Sequence, residues 1–251
     1  MSALDVFDHY GFRARLQPAF LALVPLAIAA LAWAQPGAKW ETALWSLLGS
    51  AGFTFFLANV ARNRGKRLEP KLWKAWGGAP TTVLIRHGGT ANPVLRERWH
   101  QQLTKITGLP LPTADQERDQ PMRADEMYEA ATRIIIGKMR DTKAYPFVYR
   151  DNVNYGFCRN LFALRGLGLF CAALGLCLSI GAGFWPSKHG DTDYLPWGCS
   201  VACCGLLLWW FFTITDQWVK IPATNYAQHL LEGMEKLVSP KAPRRSKQTP
   251  S

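Results

Sequence analysis

Across 251 residues, 49% of them hydrophobic, the formal net charge is +11. Every Asp, Glu, Lys, Arg and His lies outside four uninterrupted stretches of 20 to 23 residues, which excludes a wholly soluble chain. The same absence argues against a proton-coupled transporter, pump or voltage sensor, since these keep an ionisable group within the membrane.

The first uncharged run, residues 16–38, follows Arg13 and Arg15. Together with Ala32-Trp33-Ala34 these arginines imitate a signal peptide, but Asp5, Asp8 and the prolines within the run favour a retained membrane helix. A short link carrying Lys39 and Glu41 leads to the second run, 42–61. The third and fourth runs, 166–187 and 194–215, come only after a long polar segment. A helix rises about 1.5 Å per residue and needs about 20 residues to cross about 30 Å of hydrocarbon, so each run is long enough. Trp33, Trp40, Trp185, Trp197 and Trp218 stand near the run ends and read as an interfacial belt.

Residues 62–165 carry 19 Lys and Arg against 10 Asp and Glu, whereas both short links are neutral or acidic. The positive-inside bias therefore places the central segment and both termini in the cytoplasm, with the protein in a cell (inner) membrane. The expected fold class is an all-α membrane protein: four transmembrane helices, with a mostly helical cytoplasmic domain inserted between helices 2 and 3. The corresponding divisions are 1–61, 62–165, 166–215 and 216–251.

Within the central segment, Leu68, Leu72 and Trp76 recur every four residues, so the second membrane helix is expected to continue to about Trp76 and stop at Gly77-Gly78-Ala79-Pro80. The β-branched, apolar stretch 81–86 is the best strand candidate. Asn92-Pro93 then reads as a helix cap and first turn, followed by Leu95, Trp99, Leu103 and Ile106 and ended by Gly108 and Pro110. Residues 109–123 read as a surface loop, and a second amphipathic helix starts at Asp125. The stretch 145–165 is basic and amphipathic, and Arg150, Arg159 and Arg165 are expected at the anionic leaflet. After the fourth run, Pro222 opens a helix with Tyr226, Leu230, Met234 and Leu237 on one face, and 239–251 is expected to be disordered.

In the third run Cys171, Gly175, Ser179 and Gly183 recur every four residues, a ridge of small side chains suited to helix packing or oligomerisation in lipid. The six cysteines cluster in or beside runs three and four without metal-site spacing, so they read as packing residues, and neither metal nor cofactor is expected.

The sharpest chemical motif is Leu84-Ile85-Arg86-His87-Gly88-Gly89-Thr90-Ala91-Asn92. It resembles the phosphohistidine motif of the histidine phosphatase and phosphoglycerate mutase family. That resemblance implies His87 as the nucleophile accepting a phosphoryl group and Arg86 as the phosphate ligand. It covers nine residues, and the family's second His, further Arg and Glu are not matched. His100, the only other His of the central segment, is expected on a surface helix. Gly88-Gly89 equally suits a turn in which His87 is structural.

At the level of architecture the chain resembles the small four-span membrane effectors of bacterial defence systems. The resemblance implies a non-catalytic, homo-oligomeric effector that perturbs the bilayer when its cytoplasmic domain receives a protein or nucleotide ligand. The alternatives are a membrane scaffold anchoring a cytoplasmic partner, and an enzyme using His87. The expected partners are membrane lipids and further copies of the chain; the basic excess carries no nucleic-acid motif, and no nucleic acid is expected.

Overall fold

The computed structural model describes the backbone of residues 9–33, 40–185 and 194–238, and side chains from residue 10, with those of 40–51 excepted. The described residues are helical almost throughout, with no strand among them. Trp40's side chain and the expected disordered tail, 239–251, lie outside the described residues. The chain divides into two compact units, residues 1–75 with 151–223, and 76–150 with 224–251.

The first unit opens with a helical turn, α1 (His9–Gly11), and a π-helical segment, Phe12–Leu16, leading into α2 (Gln17–Ala32). Next comes the 36-residue α3 (Trp40–Ala75), with Pro70 inside it. Most of the basic stretch 145–165 is one helix, α8 (Pro146–Ala163), which enters this unit at residue 151 and is followed by α9 (Arg165–Phe184) and α10 (Leu195–Phe212). α11 (Asp216–Glu232) starts before Pro222, which lies within it. Among the described residues three helices, not the expected four, are long and apolar enough to cross a membrane: 12–32, Arg165–Phe184 and Leu195–Phe212. The count differs because the described side chains include only Gly52 to Ala61 of the second run, after which α3 becomes strongly charged.

α9 packs against both α2 and α10, and small residues set the spacing. A Cβ on Gly175 would lie 2.6 Å from the Pro25 carbonyl oxygen, and one on Gly168 would enter the Trp210 ring. Large apolar side chains point outward instead: Phe170, Leu174 and Leu178 on α9, and Val201, Leu208 and Phe211 on α10. That inside-out pattern suits a lipid solvent, in which close dispersion contact, not burial from water, holds helices together. Leu16, Ala61, Leu164 and Ile214, each beside the charged end of an apolar run, belong to one buried cluster around Trp210.

The second unit contains α4 (Pro80–Ile85), α5 (Pro93–Thr107), α6 (Ala114–Asp119) and α7 (Pro121–Lys138). The last residues of α11 and α12 (Glu235–Val238) complete it. Three expectations fail here, the simplest being that the helix expected from Asp125 already starts at Pro121. Residues 81–85 of the strand candidate 81–86 are helical because Pro80 presets the first turn and Thr81, Thr82 and Ile85 are buried together at helical spacing, while Arg86 caps the helix in an extended conformation. The loop 109–123 contains α6, started by a capping box in which Thr113 Oγ1 accepts from the Gln116 N–H and the Gln116 side chain accepts from the Thr113 N–H. The Asn92 cap is present, its Oδ1 accepting from Val94 N–H at 2.9 Å, and Gly108 ends α5 in the left-handed region at φ 72°. Ile85, Leu103, Tyr128, Ile135, Leu230 and Leu231 form the buried centre of this unit.

Candidate functional site

The Arg86-His87 motif forms the turn between α4 and α5. The Gly89 N–H donates to the Arg86 carbonyl at 2.9 Å, and a Cβ on Gly89 would run into the Val83 carbonyl. Glycine is therefore required by close backbone approach at Gly89.

Arg86 turns away from this glycine turn. Its Nε and Nη2 donate to Asp125 Oδ1 and Oδ2 of α7 at 2.8 and 2.5 Å, and Nη1 donates to the Gly77 carbonyl at 2.6 Å. The Asp125 hydrogen bond raises the guanidinium pKa above its ordinary value, outweighing desolvation. The two-pronged carboxylate contact uses the same planar fork that would grip a phosphate.

His87 Nε2 lies 3.0 Å from the Pro112 carbonyl; since a carbonyl only accepts, this ring nitrogen is assigned the proton. Its backbone N–H donates to Glu117 Oε2 at 2.9 Å, and the Tyr128 hydroxyl donates to the same oxygen at 2.7 Å. His100 is buried rather than on a surface face, with Nε2 donating to the Ile85 carbonyl at 2.6 Å. Its ring packs edgewise on His87 at 4.7 Å and Tyr128 at 5.7 Å.

Burial disfavours charge throughout this cluster, but local hydrogen bonds decide each outcome. Desolvation lowers the His100 pKa, only partly opposed by the Ile85 carbonyl. Desolvation alone would raise Glu117, yet the Tyr128 hydroxyl and the His87 and Gly88 N–H groups hold it below the usual carboxylate range. Tyr128 is pushed well above the ordinary phenol value by desolvation first and then by Glu117.

No protein-family model matches this chain, and neither a curated protein nor a solved structure does. The site must be read from its own geometry. Arg86 and His87 are brought together with His100, Glu117, Asp125 and Tyr128 in a brace that ties the α4 turn to α5, α6 and α7. Tyr128 is not among the sequence candidates. Among the described residues no group of three or more His, Cys, Asp and Glu could hold a metal ion. Beside α6, a cleft of about 290 Å³ lies between residues 110–112 and the start of α7, with Leu111 and Met127 among its walls and Gln116, Asp119 and Arg123 among its polar groups.

Most of the other sequence candidates lie in the first unit. Cys171, Gly175 and Ser179 are buried, Gly175 against α2 and Ser179 Oγ 4.0 Å from Cys203 Sγ; Gly183 abuts Trp197. The ridge thus packs within one chain. Trp33 Nε1 donates to the Leu178 carbonyl at 3.0 Å and its ring lies 5.7 Å from that of Trp185, while Trp197 meets Phe184. Trp218 packs on the cluster around Trp210. Arg159 is buried in an ion pair with Glu69, and Arg165 donates to the Phe211 carbonyl at 2.9 Å. Arg150, in the second unit, sits over the Phe147 ring.

Proposed function

We propose that this chain is a non-catalytic, four-span membrane effector of the inner membrane, whose cytoplasmic helical unit receives a small ligand or protein partner and whose apolar helices then alter the bilayer as an oligomer. The observation that carries this reading is the single buried cluster shared by Leu16, Ala61, Leu164 and Ile214. It is what an up-down-up-down bundle requires, with the charged ends of all four runs on one side and α3 supplying the fourth span. The positive-inside bias then makes that side cytoplasmic. Commitment of Arg86 to Asp125 and of His87 to Pro112 supports structural rather than catalytic work for the motif.

The cleft beside α6 is the candidate receiving site, because its wall residue Pro112 and its helix neighbour Glu117 both hold the His87 turn. A ligand there would bear on the brace without touching it. The resemblance to four-span defence effectors is one of architecture and gives the direction of the test. Inducible expression in a bacterium, followed with a membrane-potential dye and viable counts, is expected to depolarise cells and reduce survival. Unchanged potential and growth at high membrane expression would remove the effector reading.

A further inference from the structure

We infer that the polar half of α3 is a binding surface for anionic phospholipid headgroups, an inference that rests on the four-span reading above. Arg64, Arg67, Lys71 and Lys74 follow one another at spacings of three, four and three, so they form a stripe along one face of the helix. All four are exposed. Gly65 and Leu72, seven residues apart on another face of the helix, are buried. Glu69, the one carboxylate in this half of α3, is turned to the Arg159 guanidinium and leaves the stripe uniformly positive.

Position completes the case. The stripe starts three residues beyond Ala61, where the apolar run ends and the helix joins the buried cluster. From Arg64 to Lys74 it advances about 15 Å at the ordinary helical rise, a distance comparable with the headgroup layer plus a Debye length of about 8 Å at physiological ionic strength. Clusters of four or more cations immediately cytoplasmic of a membrane helix attract anionic lipid. Arg159 and Arg165 carry charge in the same unit, but the first is buried against Glu69 and the second is bound to the Phe211 carbonyl. The outward cations of α3 therefore replace Arg159 and Arg165 as the lipid-facing set of this unit.

The test uses the full-length chain in detergent, with native mass spectrometry counting lipids retained from equal amounts of phosphatidylglycerol and phosphatidylcholine. Wild type is expected to retain phosphatidylglycerol preferentially. Changing Arg64, Arg67, Lys71 and Lys74 together to Gln should weaken that preference by about tenfold or more, given roughly fivefold per cation at a charged surface. A control with Lys105, Lys138, Arg140 and Lys143 changed to Gln should keep it. No preference in wild type, or equal loss in both variants, would overturn the inference, as would displacement of the lipid by an oligonucleotide at equal charge. Retention in membranes after alkaline carbonate is measured in parallel. A wild-type chain that stays in the pellet yet shows no preference sinks only the headgroup surface; one that is washed out sinks the spanning reading and this inference with it.

Discussion

Arg86 and Asp125 meet side-on, with two parallel hydrogen bonds of 2.8 and 2.5 Å that fasten the turn after α4 to α7. Their side chains are 28% and 33% exposed, so part of the attraction is screened by solvent. Asp125→Asn is expected to destabilise the chain by about 1 to 2 kcal/mol, between a surface ion pair and a buried one. Arg86→Lys keeps the charge but loses the fork, so it should cost a similar amount. Thermal unfolding of the detergent-solubilised chain measures both, and an unchanged midpoint for Arg86→Lys would show that charge alone matters.

His87 is expected to act through the Pro112 contact and not as a nucleophile. His87→Gln, which preserves a side-chain N–H donor, should be milder than His87→Ala, whose loss of a hydrogen bond and of contact with the His100 ring should cost about 1 to 2 kcal/mol. Phosphatase assays of wild type and His87→Ala should give equal rates. A fall of orders of magnitude in the variant would restore the catalytic reading.

Stability should decline on acidification in two steps with the same sign. His100 has a lowered folded pKa, so the unfolded chain takes up a proton first as pH drops below about 6.5, and stability falls from there toward the folded pKa. Glu117 also has a depressed folded pKa. Its contribution is complete above the unfolded carboxylate range, about 4.3, and is lost as pH falls through the folded value. Unfolding midpoints measured from pH 7.5 to 3.5 should therefore fall in both windows. His100→Gln should flatten the upper one and Glu117→Gln the lower; parallel curves for wild type and both variants would contradict the assignment.

Three of the four expected apolar helices, 12–32, Arg165–Phe184 and Leu195–Phe212, are legible in the sequence because a long run without charge has only one inexpensive setting, whatever its neighbours. The brace is legible only in pieces. Thr113 and Gln116 form a capping-box pattern that announces α6, but the surrounding prolines and acidic residues disguise it as a loop. His100 adjoins Trp99 and stands three residues before Leu103, which places it on the edge of the buried face of α5. Glu117 and Tyr128, in contrast, meet through the turn between α6 and α7, and no periodicity in either helix encodes that pairing. The apolar 81–86 segment reads as a strand when its β-branching is weighed above Pro80, whose fixed φ begins a helix as readily as it ends one.

Close packing of α9 on α2 should make Gly175 intolerant of any side chain. Gly175→Val would drive carbon into the Pro25 carbonyl and toward Cys203 Sγ, and should destabilise the bundle by about 1 to 3 kcal/mol. Gly166→Ala, on the same helix with nothing within 4 Å of the added atom, should be neutral or slightly stabilising. Thermal unfolding in detergent separates the two. Equal midpoints would mean that the ridge does not hold these helices together.

The proposed orientation rests on the charge pattern and the proposed number of spans on the packing, and reporter fusions test both at once. A fusion at Thr113 and another after Val238 should be fluorescent with a reporter that matures only inside the cell, and inactive with a phosphatase that folds only outside. Fusions after Pro36 and after Gly190 should give the reverse pair of results. If α3 does not span, the fusion after Pro36 and the one at Thr113 will report the same side, even though the basic segment 62–165 begins between them. If the orientation is inverted, all four signals exchange while their alternation persists. Because these two failures give different patterns, the experiment separates the number of spans, which depends on 42–61, from their direction, which depends on the Lys and Arg beyond Ala61.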